Sequence, residues 1–159
     1  MTGDSVADNI DARKAYEAEL AASITEDLER AGWSYTDQND PSRMGLLNTD
    51  AAMDAQKPPG WVQRTACVSN TARTAPPQAG YTPLGPYHTH PYGANKLVPA
   101  NCGQPPGTFA LRQPSDEDYK AAAAIGKTMT IITPDDLIRV QSDGSTAYYR
   151  KSNPFCNWL

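Results

Sequence analysis

The sequence predicts an α+β domain built on a mixed β-sheet, packed by an N-terminal helix and by a second helix in the C-terminal half. Three observations indicate this class. An apolar stripe with helical spacing occupies the first 31 residues, a second helix with clear capping signals begins at Ser115, and runs rich in β-branched and aromatic residues follow it. The length of 159 residues fits one domain.

The first helix is predicted over residues 5–31, with Asp4 or Ser5 as its cap and Gly32 as its end. Residues 1–32 would thus form an N-terminal amphipathic helix, and residues 33–159 the main domain. The helix docks either on its own domain or on a partner chain, and we expect the former. Its apolar stripe is Tyr16, Leu20, Ile24 and Leu28, and its charged, solvated face includes Lys14, Glu19, Glu26 and Glu29.

The middle of the chain is predicted to be poor in regular structure. Residues 33–60 are expected to be irregular except for a short helix around 48–56, and residues 61–68 are expected to form a strand. Ten of the 14 prolines lie between residues 58 and 107, which indicates strands joined by stiff loops. Residues at about 92–114 form a long Pro/Gly-rich insertion, and loops of that length are usually functional or mobile.

The C-terminal half carries clearer signals. A second helix is expected from Ser115 to about residue 125, and Gly126 provides its C-terminal cap. Strands are expected at 127–133, 136–141 and 145–150, and an Asp-Gly turn joins the last two.

The charge and hydropathy of the chain exclude several classes of partner. The net charge is −4 and there is no basic stripe, which disfavours nucleic acid. No apolar run approaches the roughly 18 residues that a membrane span needs. The acidic N-terminus does not resemble a secretory signal peptide. We therefore expect a protein that either leaves the cell by a leaderless route or stays in the cytoplasm.

The three cysteines do not predict a metal or redox motif, because their spacing is too wide. Cys67 lies in an apolar stretch and is expected to be a small core residue. Cys102 and Cys156 either form one disulfide outside a reducing compartment or remain free thiols.

Both histidines of the chain lie in one motif, Tyr87-His88-Thr89-His90-Pro91. In an extended segment, residues two apart point to the same face, so both imidazoles can face one cation. A catalytic zinc site needs three protein ligands and an open position for water. The alternative interpretation is a pair of histidines at a strand edge that hold no metal.

The third ligand is predicted to be Asp118, in the segment Ser115-Asp116-Glu117-Asp118. Ser115 can cap the second helix, and Asp118 then lies in its first turn, close to the Ser115 hydroxyl. A carboxylate at a helix N-terminus stays ionised, which suits a metal ligand. An ordinary capping box explains the same residues without a metal, and the two roles are compatible.

H-T-H-P at residues 88–91 and S-D-E-D at 115–118, followed by strands, together resemble the JAMM (MPN-type) metallopeptidase family. The signature of that family is a glutamate on an early strand, then H-x-H-P, then S-x-x-D. The resemblance covers roughly residues 60–150 and implies a layout like that of JAMM and cytidine-deaminase domains. It also implies Zn²⁺ held by His88, His90 and Asp118, with Ser115 stabilising the oxyanion. The implied substrate is a peptide or isopeptide bond in a protein.

The sequence departs from the family in two places. Asp118 follows His90 by 28 positions, which exceeds the family's spacing, so the insertion must bulge out, which costs little free energy. In addition, no glutamate lies between Glu29 and Glu117. The early strand therefore lacks the family's catalytic glutamate, and Gln63 is the best occupant of its place.

Three explanations fit the missing glutamate. The protein is a natural inactive relative, Gln63 is a deliberate replacement that silences a harmful enzyme, or Glu26 or Glu29 reaches the site from the first helix. We favour the first two together. Glutamine cannot accept a proton, and the loss of general-base catalysis lowers a rate by about 10²–10⁴-fold.

The same motifs after an alanine-rich helix are also similar to the JAMM-like domains of bacterial polymorphic and Rhs-type toxins. That resemblance implies a secreted effector with a protein or peptide substrate and an immunity or partner protein. The function predicted from the sequence is thus a zinc-dependent peptide or isopeptide hydrolase. The alternative is a catalytically inactive JAMM-fold module that binds a partner protein.

Overall fold

The computed structural model describes residues 12–57, 59, 72–91 and 113–151. This part of the chain contains three helices and six strands. In chain order they are α1 (Ala12–Glu26), β1 (Ala31–Asp37), β2 (Met44–Asn48), α2 (Asp50–Gln56), β3 (Tyr81–Thr89), α3 (Asp116–Ile125), β4 (Met129–Ile132), β5 (Asp136–Val140) and β6 (Thr146–Arg150).

The six strands form one mixed sheet in the order β2-β1-β3-β4-β5-β6. β3 and β4 are parallel, and the other neighbouring pairs are antiparallel. A parallel pair needs a crossover connection, and α3 lies within the one that joins β3 to β4. The α+β class with a mixed sheet, predicted from the sequence, is therefore confirmed.

The two longer helices pack on opposite faces of this sheet. Neighbouring residues of a strand point to opposite faces. Ile132 of β4 shares a buried cluster with Tyr16 and Leu20 of α1. Its neighbour Ile131 shares a different buried cluster with Ala122 of α3. Side chains of β3 and β4 can thus be assigned to an α1 face or an α3 face of the sheet.

The C-terminal end of the first helix differs from the prediction. The helix ends at Glu26 rather than at residue 31, and Asp27 follows with a left-handed φ of 55°. Gly32, expected to end the helix, lies in β1. The expected apolar stripe is also only partly correct, because Ile24 is 50% exposed whereas Glu19 is buried. The expected start of the helix, before residue 12, lies outside the described residues.

The expectation of irregular structure after residue 33 is wrong, because β1 and β2 form an antiparallel hairpin there. Trp33 pairs with Leu47 across the hairpin, and both are buried. Gly32 allows the close approach, since a Cβ at that position would lie 2.0 Å from the Leu47 carbonyl oxygen. The short helix expected around residues 48–56 is present as α2.

The elements of the C-terminal half follow the prediction closely. Ser115 caps α3, and Gly126 ends it with a φ of 74°. The turn between β5 and β6 contains Gly144 with a φ of 89°, which favours glycine. The strand expected at 61–68, residues 92–112 of the insertion and all three cysteines lie outside the described residues. Among the residues that are described, no helix combines the length and apolar character needed to span a membrane.

Candidate metal centre

The end of β3 carries both histidines to the α3 face of the sheet. His88 pairs with Ile131, which packs against α3, and residues paired across two strands share a face. His90 lies two residues further on, and its amide donates to the Ile132 carbonyl at 2.9 Å. Each histidine is only 4% exposed. Two buried imidazoles therefore lie side by side, as the H-x-H spacing predicts.

The first turn of α3 supplies the carboxylate of Asp118. Ser115 and Asp118 form a capping box in which the Ser115 hydroxyl accepts from the Asp118 amide. The Ser115 amide in turn donates to Oδ2 of Asp118 at 2.8 Å. Oδ1 of Asp118 lies 3.0 Å from Nε2 of His88. The cap thus orients Asp118 so that its other oxygen, Oδ1, faces His88.

The three side chains converge on one point. Nε2 of His88 lies 3.2 Å from Nε2 of His90, and Nε2 of His90 lies 3.6 Å from Oδ2 of Asp118. One ligand atom from each residue lies within 4.8 Å of the others. Tetrahedral ligand atoms around zinc, bound at about 2.0–2.2 Å, are roughly 3.3 Å apart. The spacing of His88, His90 and Asp118 therefore fits a metal ion, and two imidazoles with one carboxylate match the ligands of catalytic zinc sites.

Glu29 places a second carboxylate beside this group. Its Oε1 lies 3.7 Å from Nε2 of His90, and its side chain is 7% exposed. The antiparallel register that pairs Ala31 with His88 places residue 29 opposite His90 when it is continued, so the two side chains share a face. The prediction of a solvated Glu29 on a helix is wrong, because the helix ends at Glu26.

The charges of the site favour the ionised forms of His88 and Asp118 in the metal-free protein. Burial by itself lowers the pKa of His88, but the charge of Asp118 and the hydrogen bond to it, followed by the charges of Glu29 and Asp50, raise that pKa to about 9. Burial likewise raises the pKa of Asp118, but the charge and hydrogen bond of His88, and the charge of His90, hold it well below its usual range. A cation that binds here would therefore displace a proton from His88.

The predicted site residues have different outcomes. His88, His90 and Asp118 lie together, and Ser115 holds Asp118 through the capping box. Gln63 lies outside the described residues, so its place in the site stays a prediction.

Comparison of the chain with known proteins finds no matching family model, no matching curated protein and no matching solved structure. The function must therefore be inferred from the geometry and chemistry of the site itself.

Proposed function

We propose that this protein is a metal-dependent hydrolase of amide bonds, with Zn²⁺ as its cofactor. The observation that carries the proposal is the convergence of the buried His88 and His90 with the half-buried Asp118, with Glu29 next to His90. Structural zinc sites usually use four protein ligands, whereas catalytic sites use three and keep a position open. Three ligands beside an additional carboxylate match the second type.

In this proposal, His88, His90 and Asp118 would hold the metal. Bound zinc would polarise the scissile carbonyl and lower the pKa of a water molecule to about 7. Glu29 accepts the proton of the attacking water and returns it to the departing amine. The Ser115 hydroxyl oxygen accepts a hydrogen bond from the Asp118 amide. The Ser115 hydroxyl proton can therefore be donated to the developing oxyanion.

The position of Glu29 supports an active enzyme rather than an inactive relative. The sequence-based preference for inactivity depended on the lack of a glutamate at the place of Gln63. A buried glutamate 3.7 Å from His90 supplies a base within reach of a water in the site. Of the three explanations for the missing glutamate, this geometry favours the one in which Glu29 reaches the site from the N-terminal segment.

The resemblance to the JAMM family narrows the proposed substrate to a peptide or isopeptide bond. The order glutamate, H-x-H-P, S-x-x-D is complete when Glu29 takes the first place. A role as a leaderless bacterial effector, with an immunity or partner protein, is the more specific form of this proposal. It is supported by the similarity of the motifs to toxin-associated JAMM-like domains.

The test is hydrolysis of a library of linear and isopeptide-branched peptides by the zinc-loaded protein, read by mass spectrometry. Glu29→Gln should keep its zinc but lose about 10²–10⁴-fold in turnover. Glu117→Gln is the matched control, because Glu117 is an 83% exposed glutamate on α3. Equal turnover by the Glu29 variant and the unmutated protein would remove Glu29 from the mechanism. A zinc-loaded protein that cleaves no peptide would favour the interaction module.

A further inference from the structure

Two hydroxyl groups connect the α1 side of the sheet to the segment that carries Glu29. Oγ of Ser23, on α1, lies 2.6 Å from Oγ1 of Thr89, the residue between the two histidines. The Ser23 hydroxyl also donates to the carbonyl of Leu28. Oγ1 of Thr89 also accepts from the amide of Arg30 at 3.0 Å. We refer to Ser23 and Thr89 as the hydroxyl pair.

The direction of these hydrogen bonds is fixed by the number of protons. Each hydroxyl has one proton to donate. The proton of Ser23 goes to the Leu28 carbonyl, so Ser23 must accept from Thr89. The Arg30 amide therefore donates to Thr89, Thr89 donates to Ser23, and Ser23 donates to Leu28. Hydrogen bonds in such a chain strengthen one another, and this one is largely shielded from water, since Ser23 and Thr89 are both fully buried.

The two ends of this series of hydrogen bonds are the peptide groups on either side of Glu29. The Leu28 carbonyl belongs to the peptide group before Glu29, and the Arg30 amide belongs to the one after it. The next peptide group is held as well, because the Thr89 amide donates to the Arg30 carbonyl at 2.9 Å. The backbone on both sides of Glu29 is thus held in place from the opposite face of the sheet.

Because side chains alternate along a strand, the three consecutive residues His88, Thr89 and His90 contact both faces of the sheet. His88 and His90 point to the α3 face, and Thr89 points to the α1 face, where Ser23 lies. A displacement of the Glu29 segment relative to the two histidines therefore has to break a hydrogen bond of the hydroxyl pair.

We infer that Ser23 and Thr89 are positioning residues that fix the Glu29 carboxylate against the metal centre. The inference rests on the proposed function, in which Glu29 acts on a water in that centre. It also makes α1 a part of the catalytic assembly, because Ser23 lies within that helix. Neither hydroxyl touches the reacting atoms, since both lie on the other face of the sheet.

The test compares Thr89→Val, which removes the hydroxyl but keeps the branched shape, with the control Thr89→Ser, which keeps the hydroxyl. The first readout needs no metal: exchange of the Arg30 amide with deuterium, followed by NMR. Loss of one hydrogen bond should speed this exchange about tenfold in Thr89→Val, and Thr89→Ser should exchange as the unmutated protein does. Unchanged exchange in Thr89→Val would overturn the inference.

The second readout is the visible spectrum of the Co²⁺-loaded protein, which reports the surroundings of the metal. Thr89→Val and Glu29→Gln should each shift the bands. Thr89→Val should add no further shift in a protein that already carries Glu29→Gln, because the hydroxyl pair acts through Glu29. An equal shift in both backgrounds would mean that Thr89 acts on the histidines only, and would overturn the inference.

Two outcomes separate this inference from the proposed function. If the unmutated protein binds no Co²⁺, the proposed function fails, while the exchange of the Arg30 amide still decides whether the hydroxyl pair holds the Glu29 segment. If Thr89→Val does not fold, Ser23→Ala takes its place. Ser23→Ala removes the bond to the Leu28 carbonyl and should shift the Co²⁺ bands only when Glu29 is present, and any other pattern overturns the inference.

Discussion

Replacement of Asp118 by asparagine keeps the shape of the side chain but removes the charge that faces the histidines. The amide oxygen of asparagine can still accept from the Ser115 amide, and the N-cap residue Ser115 is unchanged, so the start of α3 should survive. What is lost is the attraction between the Asp118 carboxylate and protonated His88, whose atoms lie 3.0 Å apart. The variant therefore isolates the electrostatic part of the site.

The expected loss of unfolding free energy follows from the pKa of His88, which is raised from 6.5 to about 9 in the folded protein. A histidine whose pKa is raised by folding stabilises the folded state. This stabilisation is complete at a pH below the pKa of the unfolded protein, and it disappears as the pH rises through the pKa of the folded protein. The net shift corresponds to about 3 kcal/mol of unfolding free energy below about pH 6.5, and Asp118 is the largest of the groups that raise this pKa. The lowered pKa of Asp118 describes the same attraction, so it is not counted again.

The assay is urea denaturation of the metal-free protein in the presence of a chelator, below and above this pH window. Asp118→Asn should lose about 3 kcal/mol of unfolding free energy at about pH 6 and almost nothing above about pH 9.5. Asp116→Asn removes the same charge from an exposed position in the same helical turn and is the matched control. A loss that does not depend on pH, or one equal to that of the control, would refute the electrostatic reasoning.

Two further predictions concern metal affinity and the packing of α1. Because zinc would have to displace the proton of His88, zinc affinity should rise about tenfold per pH unit up to about pH 9 and then level off, and about one proton should be released below that pH. Calorimetry in buffers of different ionisation enthalpy measures the affinity and the number of protons released. A pH-independent affinity would contradict a ligand role for His88. Leu20→Ala should destabilise the protein by about 2–5 kcal/mol, because Leu20 is 4% exposed. Ile24→Ala, at a half-exposed position of the same helix, should cost less than about 0.5 kcal/mol. Equal losses of stability in thermal denaturation would contradict the docking of α1.

The parts of the site that were predictable from the sequence depend on local rules. The H-x-H spacing defines a shared face in any extended segment, and Ser115 with Asp118 forms a capping box through neighbouring backbone groups. Gly126 ends α3 by the same kind of local preference. Local rules therefore account for the shared face of His88 and His90 and for the cap formed by Ser115 and Asp118. The meeting of these two segments is a tertiary contact, and it was the resemblance to the JAMM signature that indicated it.

The place of Glu29 could not be predicted in this way, because it depends on contacts between distant segments. No glycine or proline marks the end of α1 at Glu26, and the left-handed Asp27 has only a weak sequence signal. The approach of Glu29 to His90 follows from the register between β1 and β3. One signal was present, since Glu29 is the last glutamate before the H-x-H-P motif.

The β1–β2 hairpin escaped prediction for a related reason. The strand sequence AGWSYTD does alternate, with Trp33 and Tyr35 on one face and Ser34 and Thr36 on the other, but it is short and its glycine, serine and aspartate also indicate turns and loops. Its stability comes from the burial of Trp33 and Tyr35 against residues far along the chain, including Ala72 and Tyr81. Tertiary packing here overrides a weak local preference.

The most direct test of the metal centre is elemental analysis of the protein purified without chelator, and again after dialysis against zinc. The unmutated protein should hold about one equivalent of zinc, since His88, His90 and Asp118 are the three ligands of the one proposed metal site. His88→Ala and Asp118→Ala should each lose it, whereas Asp116→Ala should keep it. Zinc far below one equivalent in the unmutated protein after dialysis would contradict the proposed metal centre, and full retention in Asp118→Ala would remove that residue from the ligands.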